Sequence, residues 1–506
     1  MLTKSFEEGS AASPAAPTPD ELREIFSIPQ EEKKNEELSQ AKQLEKDLQN
    51  QFENLYDVYD QDALQSAFSL AEDYKSFLDQ AKTEREAVKV SVSLLQNLGF
   101  ADISAQESLQ PGDKVYKSVH GKGLMAAVIG QAGNEKGYAI LGAHIDSPRL
   151  DLKPKPVYQD GDMVFFKTHY YGGIKKYQWT TIPLALHGFA VRKDGTEVEI
   201  SIGENEDEPV FMLTDLLIHL SAEQMQKKAS KVIEGEELNL LVSGRPLPQK
   251  EISERFKLGL LLILKEQYGL TERDLISAEI EIVPAAKARD LGFDRSFISG
   301  YGHDDRVCAY PAIRAIASEE DTERTVMLML TDKEEVGSTG NTGAISQLYD
   351  NFMAEVYSKT EGAYDELGYR KTLEKSCMLS ADVINGYDPT FPSTVDIKNT
   401  NYMGRGVSLQ KYTGSGGKGG ASDASSEFFS KVIHLLDEHE IPWQTGELGK
   451  IDLGGGGTIS HYMAVRGMQV LDCGVPVLNM HAPQEIIHKL DLYATYQTYK
   501  TFIENI

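Results

Sequence analysis

Cysteine is scarce in this 506-residue chain: Cys308, Cys377 and Cys473 are the only three, far apart and odd in number. That excludes a disulfide framework and fits a reducing compartment. None lies in a CxxC pair, so any metal must rely on histidine and carboxylate. Positive charge is also short. Against 78 Asp and Glu stand 51 Lys and Arg, a net charge of -27, which argues against a nucleic-acid or anionic-membrane partner. No run of about 18 apolar residues is available to span a bilayer, and the N-terminus has no apolar signal core. A cytoplasmic protein is expected. There is no internal repeat.

What is present suits a soluble globular protein of two or more domains, with a hydrophobic fraction of 41% and ample length for separate cores. Residues 1–35, rich in Ala, Pro, Ser and Glu, are expected to form a mobile tail. From 36 to 98 the apolar spacing predicts successive amphipathic helices. "YAILGAHIDS" then reads as a buried strand ending in polar residues. Between about 156 and 290 the style changes. "DMVFFKTHYY", "PLALHGFAVRK" and "VEISI" alternate as in an antiparallel or mixed sheet, and few metal-type residues cluster there, as expected of an inserted domain. After 300 the α/β pattern returns: a helix in "DDRVCAYPAIRAIAS", strands in "TVMLML", "SCMLSADV", "QVLDC" and "VPVLNM", and a helix at 424–438.

Five segments place His, Asp or Glu at the edge of an apolar element: "LGAHIDSP", "GYGHDDR", "TDKEEVGS", "LSADV" and "LNMHAP". Singly, each is ordinary. A lone histidine is more often structural than a ligand, and an aspartate after a strand is usually a cap. Their coincidence at equivalent edges, where open α/β sheets build sites, points to a shared centre. Two imidazoles with several carboxylates suit Zn²⁺, Mn²⁺ or Co²⁺. A pair of ions about 3.5–4 Å apart needs a bridging carboxylate and terminal ligands on both sides, which this inventory can supply.

"GAHIDSPRLDLKPKP", "SGYGHDDRVCAY", "DKEEVGSTGNTGA", "SADV" and "VLNMHAP" resemble, in order, the M18 (aspartyl aminopeptidase-like) family of metalloaminopeptidases. The resemblance implies an α/β, mixed-sheet dinuclear metallopeptidase domain (36–155 plus 291–506) interrupted by a β-rich dimerisation domain (156–290). It implies two divalent ions, with His144 and Asp382 facing different ions, Asp304 bridging them, and Glu335 and His481 completing the shell. Glu334 becomes the catalytic carboxylate of a peptide-hydrolysing aminopeptidase. Asp146, two residues past His144 and on the same side of an extended segment, is expected to accept a hydrogen bond from the imidazole. His219, in "DLLIHLSAEQ", matches a histidine that a neighbouring subunit lends to the oxyanion. The family also implies a homo-oligomer, a dodecamer built from dimers, acting on peptides.

His303, His169 and His187 are read as structural or surface histidines. Gly414, Gly416 and Gly419 have GxGxxG spacing before a helix, the mark of a dinucleotide-binding oxidoreductase, but Asp437, at the distance of the expected ribose-binding acid, falls inside that helix. A non-catalytic scaffold is a second alternative, disfavoured by retention of every ligand type and of Glu334. Lys411 is placed at the border of a substrate pocket, and Gly457 and Thr458 carry a glycine-threonine turn. Departures from the family pattern lie in "VINGYDPTFP" and in the glycine-rich 413–420 loop, both bearing on which N-terminal residue is preferred.

Overall fold

Short, wholly buried apolar strands set the architecture. In the computed structural model, which describes residues 34–506 except position 421, Tyr138–His144, Thr325–Thr331 and Cys377–Ala381 are buried at every residue. Both faces of the sheet are covered, so these strands read as continuous apolar runs instead of alternating. Alternate side chains feed two cores. Leu141, Leu328, Leu379 and Leu471 pack with Val307, Tyr310 and Phe502, whereas Ile140, Met327, Met378 and Val470 pack with Tyr349, Phe352 and Met353.

The first sheet has nine strands, and at its centre Thr325–Thr331, Tyr138–His144, Cys377–Ala381 and Gln469–Gly474 run parallel. Register aligns their ends: Thr331 lies opposite His144 and Ala381 opposite Cys473. The C-terminal edge therefore collects His144, the residues after Thr331, and Asp382. A five-stranded sheet of Arg289–Leu291, Phe297–Gly300, Glu485–His488, Pro476–Leu478 and Ile384–Asn385 abuts this edge. Its connections carry Asp304, Asp382 and His481.

The inserted segment forms the third sheet, seven strands between Arg149 and Pro284 and antiparallel throughout. It has its own core around Trp179, Leu184, Leu240 and Ile282. The strands expected in "DMVFFKTHYY", "PLALHGFAVRK" and "VEISI" are Met163–Tyr171, Leu184–Val191 and Glu197–Ile202.

Helices occupy the N-terminal region as the periodicity predicts. Gln61–Gln80 is capped by the Asp60 side chain, and Glu84–Asn97 by a reciprocal Thr83/Glu86 capping box. Lys34–Leu48 is a separate helix in a unit that ends at Phe52. The tail expected over 1–35 lies, but for its last two residues, outside the described residues. Among the described residues no helix is long and apolar enough to cross a membrane.

One glycine lets the backbone at Asp382 pack closely against this edge. A Cβ added at Gly474 would sit 1.6 Å from the Asp382 carbonyl oxygen, and the Asp382 amide donates to the Cys473 carbonyl at 3.0 Å. Neither backbone can yield without moving Asp382. Gly474→Ala is expected to destabilise the protein by roughly 1–3 kcal/mol, the usual cost of overpacking, and to displace Asp382. Denaturant unfolding checks this; an unchanged midpoint would show that the strand accommodates the methyl group.

Candidate metal centre and active site

Each of the five expected ligand residues arrives from a different connection, and the structure brings all five together. His144 ends its parallel strand. Asp304 lies in the first turn of the His303–Ala317 helix, but with extended torsions (φ -79°, ψ 104°), next to a cis Asp304–Asp305 peptide. Glu334 and Glu335 occupy a 3₁₀ turn between Lys333 and Gly337, both at positive φ. Asp382 follows Ala381, and His481 lies in the turn before Glu485–His488.

Asp304 is the hub. Its Oδ1 is 3.1 Å from Nε2 of His144 and its Oδ2 is 3.1 Å from Nε2 of His481. Asp382 Oδ1 approaches His144 Nε2 at 3.8 Å, and Glu335 Oε1 approaches His481 Nε2 at 3.4 Å. The far ring nitrogens fix the tautomers. His144 Nδ1 donates to the Asp146 carbonyl oxygen at 3.0 Å, and His481 Nδ1 to the Gly173 carbonyl oxygen at 2.8 Å. A carbonyl only accepts, so each Nδ1 carries a proton and each Nε2 presents its lone pair to the cluster when the ring is neutral.

The Asp146 carboxylate has partners beyond the imidazole expected for it. Its Oδ1 is 3.3 Å from His144 Nδ1, but the ring's hydrogen bond goes to the main-chain oxygen. The carboxylate accepts from the amides of Glu334 (3.1 Å) and Glu335 (3.2 Å) and from the Tyr171 hydroxyl (2.7 Å). It thus clamps the turn that presents the paired glutamates.

Donor atoms of His144, Asp304 and Glu335 lie within 4.8 Å of one another, as do those of His144, Glu334 and Asp382, and of Asp304, Asp305 and Asp382. Asp304 Oδ1 and Glu335 Oε1 are buried without a hydrogen-bond donor. Buried, unpartnered carboxylate oxygens facing imidazole lone pairs fit a divalent cation. Electrostatics agree. Burial and then the Asp382 charge push the Glu334 carboxyl up to about 8; burial and then the Asp304 charge push Glu335 well above the carboxylate range. Burial disfavours a charged His481 ring, but the Asp304 hydrogen bond and the Glu335 charge outweigh it and hold the ring at about 10.

Several supports escaped sequence reasoning. Glu485 accepts from the amides of Asp304 (3.0 Å) and His481 (2.7 Å), and only its place four residues after His481 hinted at this. Tyr171 and Gly173 arrive from the insert sheet, with no local signal. A cavity of about 570 Å³ opens beside Asp304, Glu334, Glu335, Asp382 and His481. Gly457 and Thr458 line it, as do Gly414 and Gly416. These glycines are not a phosphate turn: Gly414–Ser415 pairs antiparallel with Gly455–Gly456 as a short ribbon. Asp437 lies within the Ser426–Glu438 helix and accepts from the Trp443 indole at 2.9 Å. Lys411 turns to Asp423 at 2.8 Å and does not line the cavity, although Gln410 and Tyr412 do.

His303 is buried and bonded to Tyr74 through Nδ1 at 2.8 Å. His187 bridges Glu86 and Glu204, and His169 is exposed. His219 lies in the exposed 3₁₀ turn Ile218–Leu220 of the insert, and none of the described hydrogen bonds or ion pairs joins it to the cluster.

A mixed sheet with a parallel centre, whose C-terminal edge and the abutting connections gather two imidazoles and several carboxylates, fits an α/β metal-dependent hydrolase. The sequence matches, over residues 77–503, the family described as Aminopeptidase I zinc metalloprotease (M18), and the chain belongs to that family. A probable M18 family aminopeptidase 1 of Clostridium acetobutylicum is 48% identical over 463 residues, covering 91% of this chain and 99% of its own. The crystal structure of aminopeptidase I from that organism superposes with a TM-score of 0.85, at 45% identity over 90% of this chain and 100% of its own. The M18 aminopeptidase of Thermotoga maritima superposes with a TM-score of 0.87, at 40% identity and the same coverage. A S. cerevisiae structure solved as a dodecamer shares the fold at 19% identity and a TM-score of 0.70, over 86% of this chain and 96% of its own. The protein is a metallo-exopeptidase acting at peptide N-termini.

With His481 held at about 10, its ring is charged at pH 7 in the metal-free protein and must lose its Nε2 proton to ligate. Metal uptake should therefore release protons, and apparent affinity should fall by about tenfold per pH unit for each proton released as pH drops from 8 to 6. Calorimetry in buffers of different ionisation enthalpy measures the release. Binding that is independent of buffer and pH would contradict the assignment of His481.

Proposed function

We propose that this chain is a dinuclear aminopeptidase in which Asp304 is shared by two ions. His144 and Asp382 serve one ion, and His481 and Glu335 the other. This revises the expectation that His144 and Asp382 face different ions, because Asp382 Oδ1 lies 3.8 Å from His144 Nε2 whereas Glu335 Oε1 lies 3.4 Å from His481 Nε2. Zinc is the first candidate, with manganese and cobalt compatible with the same donors. The observation that carries this reading is the two-sided engagement of Asp304, each oxygen 3.1 Å from a different imidazole Nε2. Bound divalent cations would supply Lewis acidity that polarises the scissile carbonyl.

The chain's own residues supply the remaining steps. Glu334 takes a proton from the attacking water and returns it to the leaving amine. A carboxyl raised to about 8 by burial and the Asp382 charge, and drawn down by cations beside it, lies near the working pH, where a group can both accept and return a proton. Both glutamates lie within ligand range, so their separate roles follow from chemistry: a carboxylate committed to a cation is a poor base. The 570 Å³ cavity beside the cluster takes the N-terminal residue.

Residues 156–290 serve as the dimerisation domain, and the subunits assemble as dimers into a dodecamer. Support comes from the insert's surface. Around His219, Leu217, Ile218, Leu220 and Met225 are 55%, 71%, 66% and 67% exposed, an apolar run suited to a subunit contact. His219 would then reach a neighbouring subunit's site and donate to the oxyanion.

The paired glutamates give the primary test. Glu334→Gln should retain its metal and still bind a non-hydrolysable substrate analogue while turnover falls by roughly 10²–10⁴. Glu335→Gln should lose metal on dialysis and partly recover with excess metal. Metal stoichiometry and peptidase rate separate the two. Metal loss from Glu334→Gln with retention by Glu335→Gln reverses the assignment, and full activity in both removes the reading.

For His219→Ala, kcat should fall by roughly 10²–10³ with metal content unchanged. Mixing it with Glu334→Gln subunits should restore some turnover through complementary sites. Wild-type turnover in the single variant removes His219 from the site.

A further inference from the structure

The insert sheet does more than carry a subunit contact: the end of one of its strands reaches the catalytic cluster. The Met163–Tyr171 strand is followed by Gly172 and Gly173, and all three residues of Tyr171–Gly173 touch the site. The Tyr171 hydroxyl donates to Asp146 Oδ2 at 2.7 Å. That same oxygen accepts from the Glu335 amide, and its partner oxygen from the Glu334 amide. Of these three donors only the phenol comes from the insert sheet.

Gly172, at φ 73°, adopts a conformation that L side chains rarely take, and it packs directly on Glu335: a Cβ there would lie 3.3 Å from Glu335 Oε2 and 3.4 Å from its Cβ. The Gly173 carbonyl takes the His481 Nδ1 proton at 2.8 Å. Arg149 stacks on the Tyr171 ring, its guanidinium carbon 4.0 Å from the centroid, so the phenol is fixed in direction before any substrate arrives. Burial, with the adjacent Asp146 charge, keeps the hydroxyl protonated and hence a donor.

We infer that Tyr171 is a positioning residue: its hydroxyl orients Asp146, and through Asp146 both glutamates, while the two glycines after it seat Glu335 and fix the tautomer of His481. This strap rests on the proposed roles of Glu334, Glu335 and His481. It ties the geometry of the active site to the insert sheet, so the two cannot shift independently without loosening the cluster. Partners that orient ligand residues typically govern metal affinity and activity by 10–100-fold.

Tyr171→Phe deletes the hydroxyl and keeps the stacked ring. The full chain carrying it should bind zinc about tenfold more weakly in a chelator competition. Its kcat should fall by roughly 10–100-fold, KM should change by less than about threefold, and the melting midpoint of the metal-free protein should stay within a few degrees. Combined with Asp146→Asn, it should cause no loss beyond that of Asp146→Asn alone, because the hydroxyl acts through that carboxylate. Wild-type zinc affinity and kcat in Tyr171→Phe overturn the inference, whether or not the melting midpoint drops. Losses that multiply in the double variant overturn it too. Absent turnover in the wild-type chain would contradict the proposed chemistry instead, and the zinc competition would still read the strap.

Discussion

Negative charge crowded at one sheet edge is the constraint on which this structure turns. Asp304, Glu334, Glu335 and Asp382 meet there, with Asp146, Asp305 and Glu485 close behind. Two unit charges roughly 4 Å apart interact by about 4 kcal/mol at an effective dielectric of 20, so such a group cannot be fully ionised without compensation. In the free protein compensation comes from protons, seen in the raised carboxyls of Glu334 and Glu485, each at about 8, and in the charged ring of His481. Divalent cations would replace those protons. The same repulsion that makes the apo cluster costly is what would make it a strong cation site.

The fold holds these groups together against their repulsion. Parallel strands buried on both faces cannot slide, and their register sets His144 opposite Thr331, so the glutamate turn starts three residues beyond the imidazole's level. The five-stranded sheet delivers Asp304, Asp382 and His481 from the other side. Backbone amides neutralise what remains: two on Asp146, two on Glu485. Gly474 keeps Asp382 close by having no side chain. Rigid placement of this kind would let a carboxylate serve as proton carrier beside others that serve as ligands, because each is distinguished by its neighbours and not by its residue type.

Much of this was legible in the sequence because it is local. Buried strands announce themselves as apolar runs, and "TVMLML" followed by "TDKEE" places a strand end and its glutamates with no tertiary knowledge. The candidate ligand residues stood out because each lies within a few residues of such an end. Groups joined by long-range contacts were not legible. Tyr171 meets Asp146 and Gly173 meets His481 only because two sheets abut, and an alternating strand gives no sign of what its last residue touches. The GxGxxG spacing, already set aside because Asp437 falls inside a helix, was uninformative for the converse reason: Gly414 and Ser415 form a ribbon with Gly455 and Gly456, a pairing that spacing within one segment cannot reveal. Lys411 sits next to cavity residues in sequence, yet its ammonium is drawn to Asp423. His219 lies in an exposed turn of the insert and has no partner in the cluster of its own chain among the described contacts.

The claim that organises all of this is the sharing of Asp304 between two ions. Crystals of the zinc-loaded chain, measured across the zinc absorption edge, test it directly. The account predicts two anomalous peaks about 3.5–4 Å apart, with Asp304 between them, His144 and Asp382 on one and His481 and Glu335 on the other. A single peak at full zinc loading, or two peaks with Asp304 bound to only one, would contradict it.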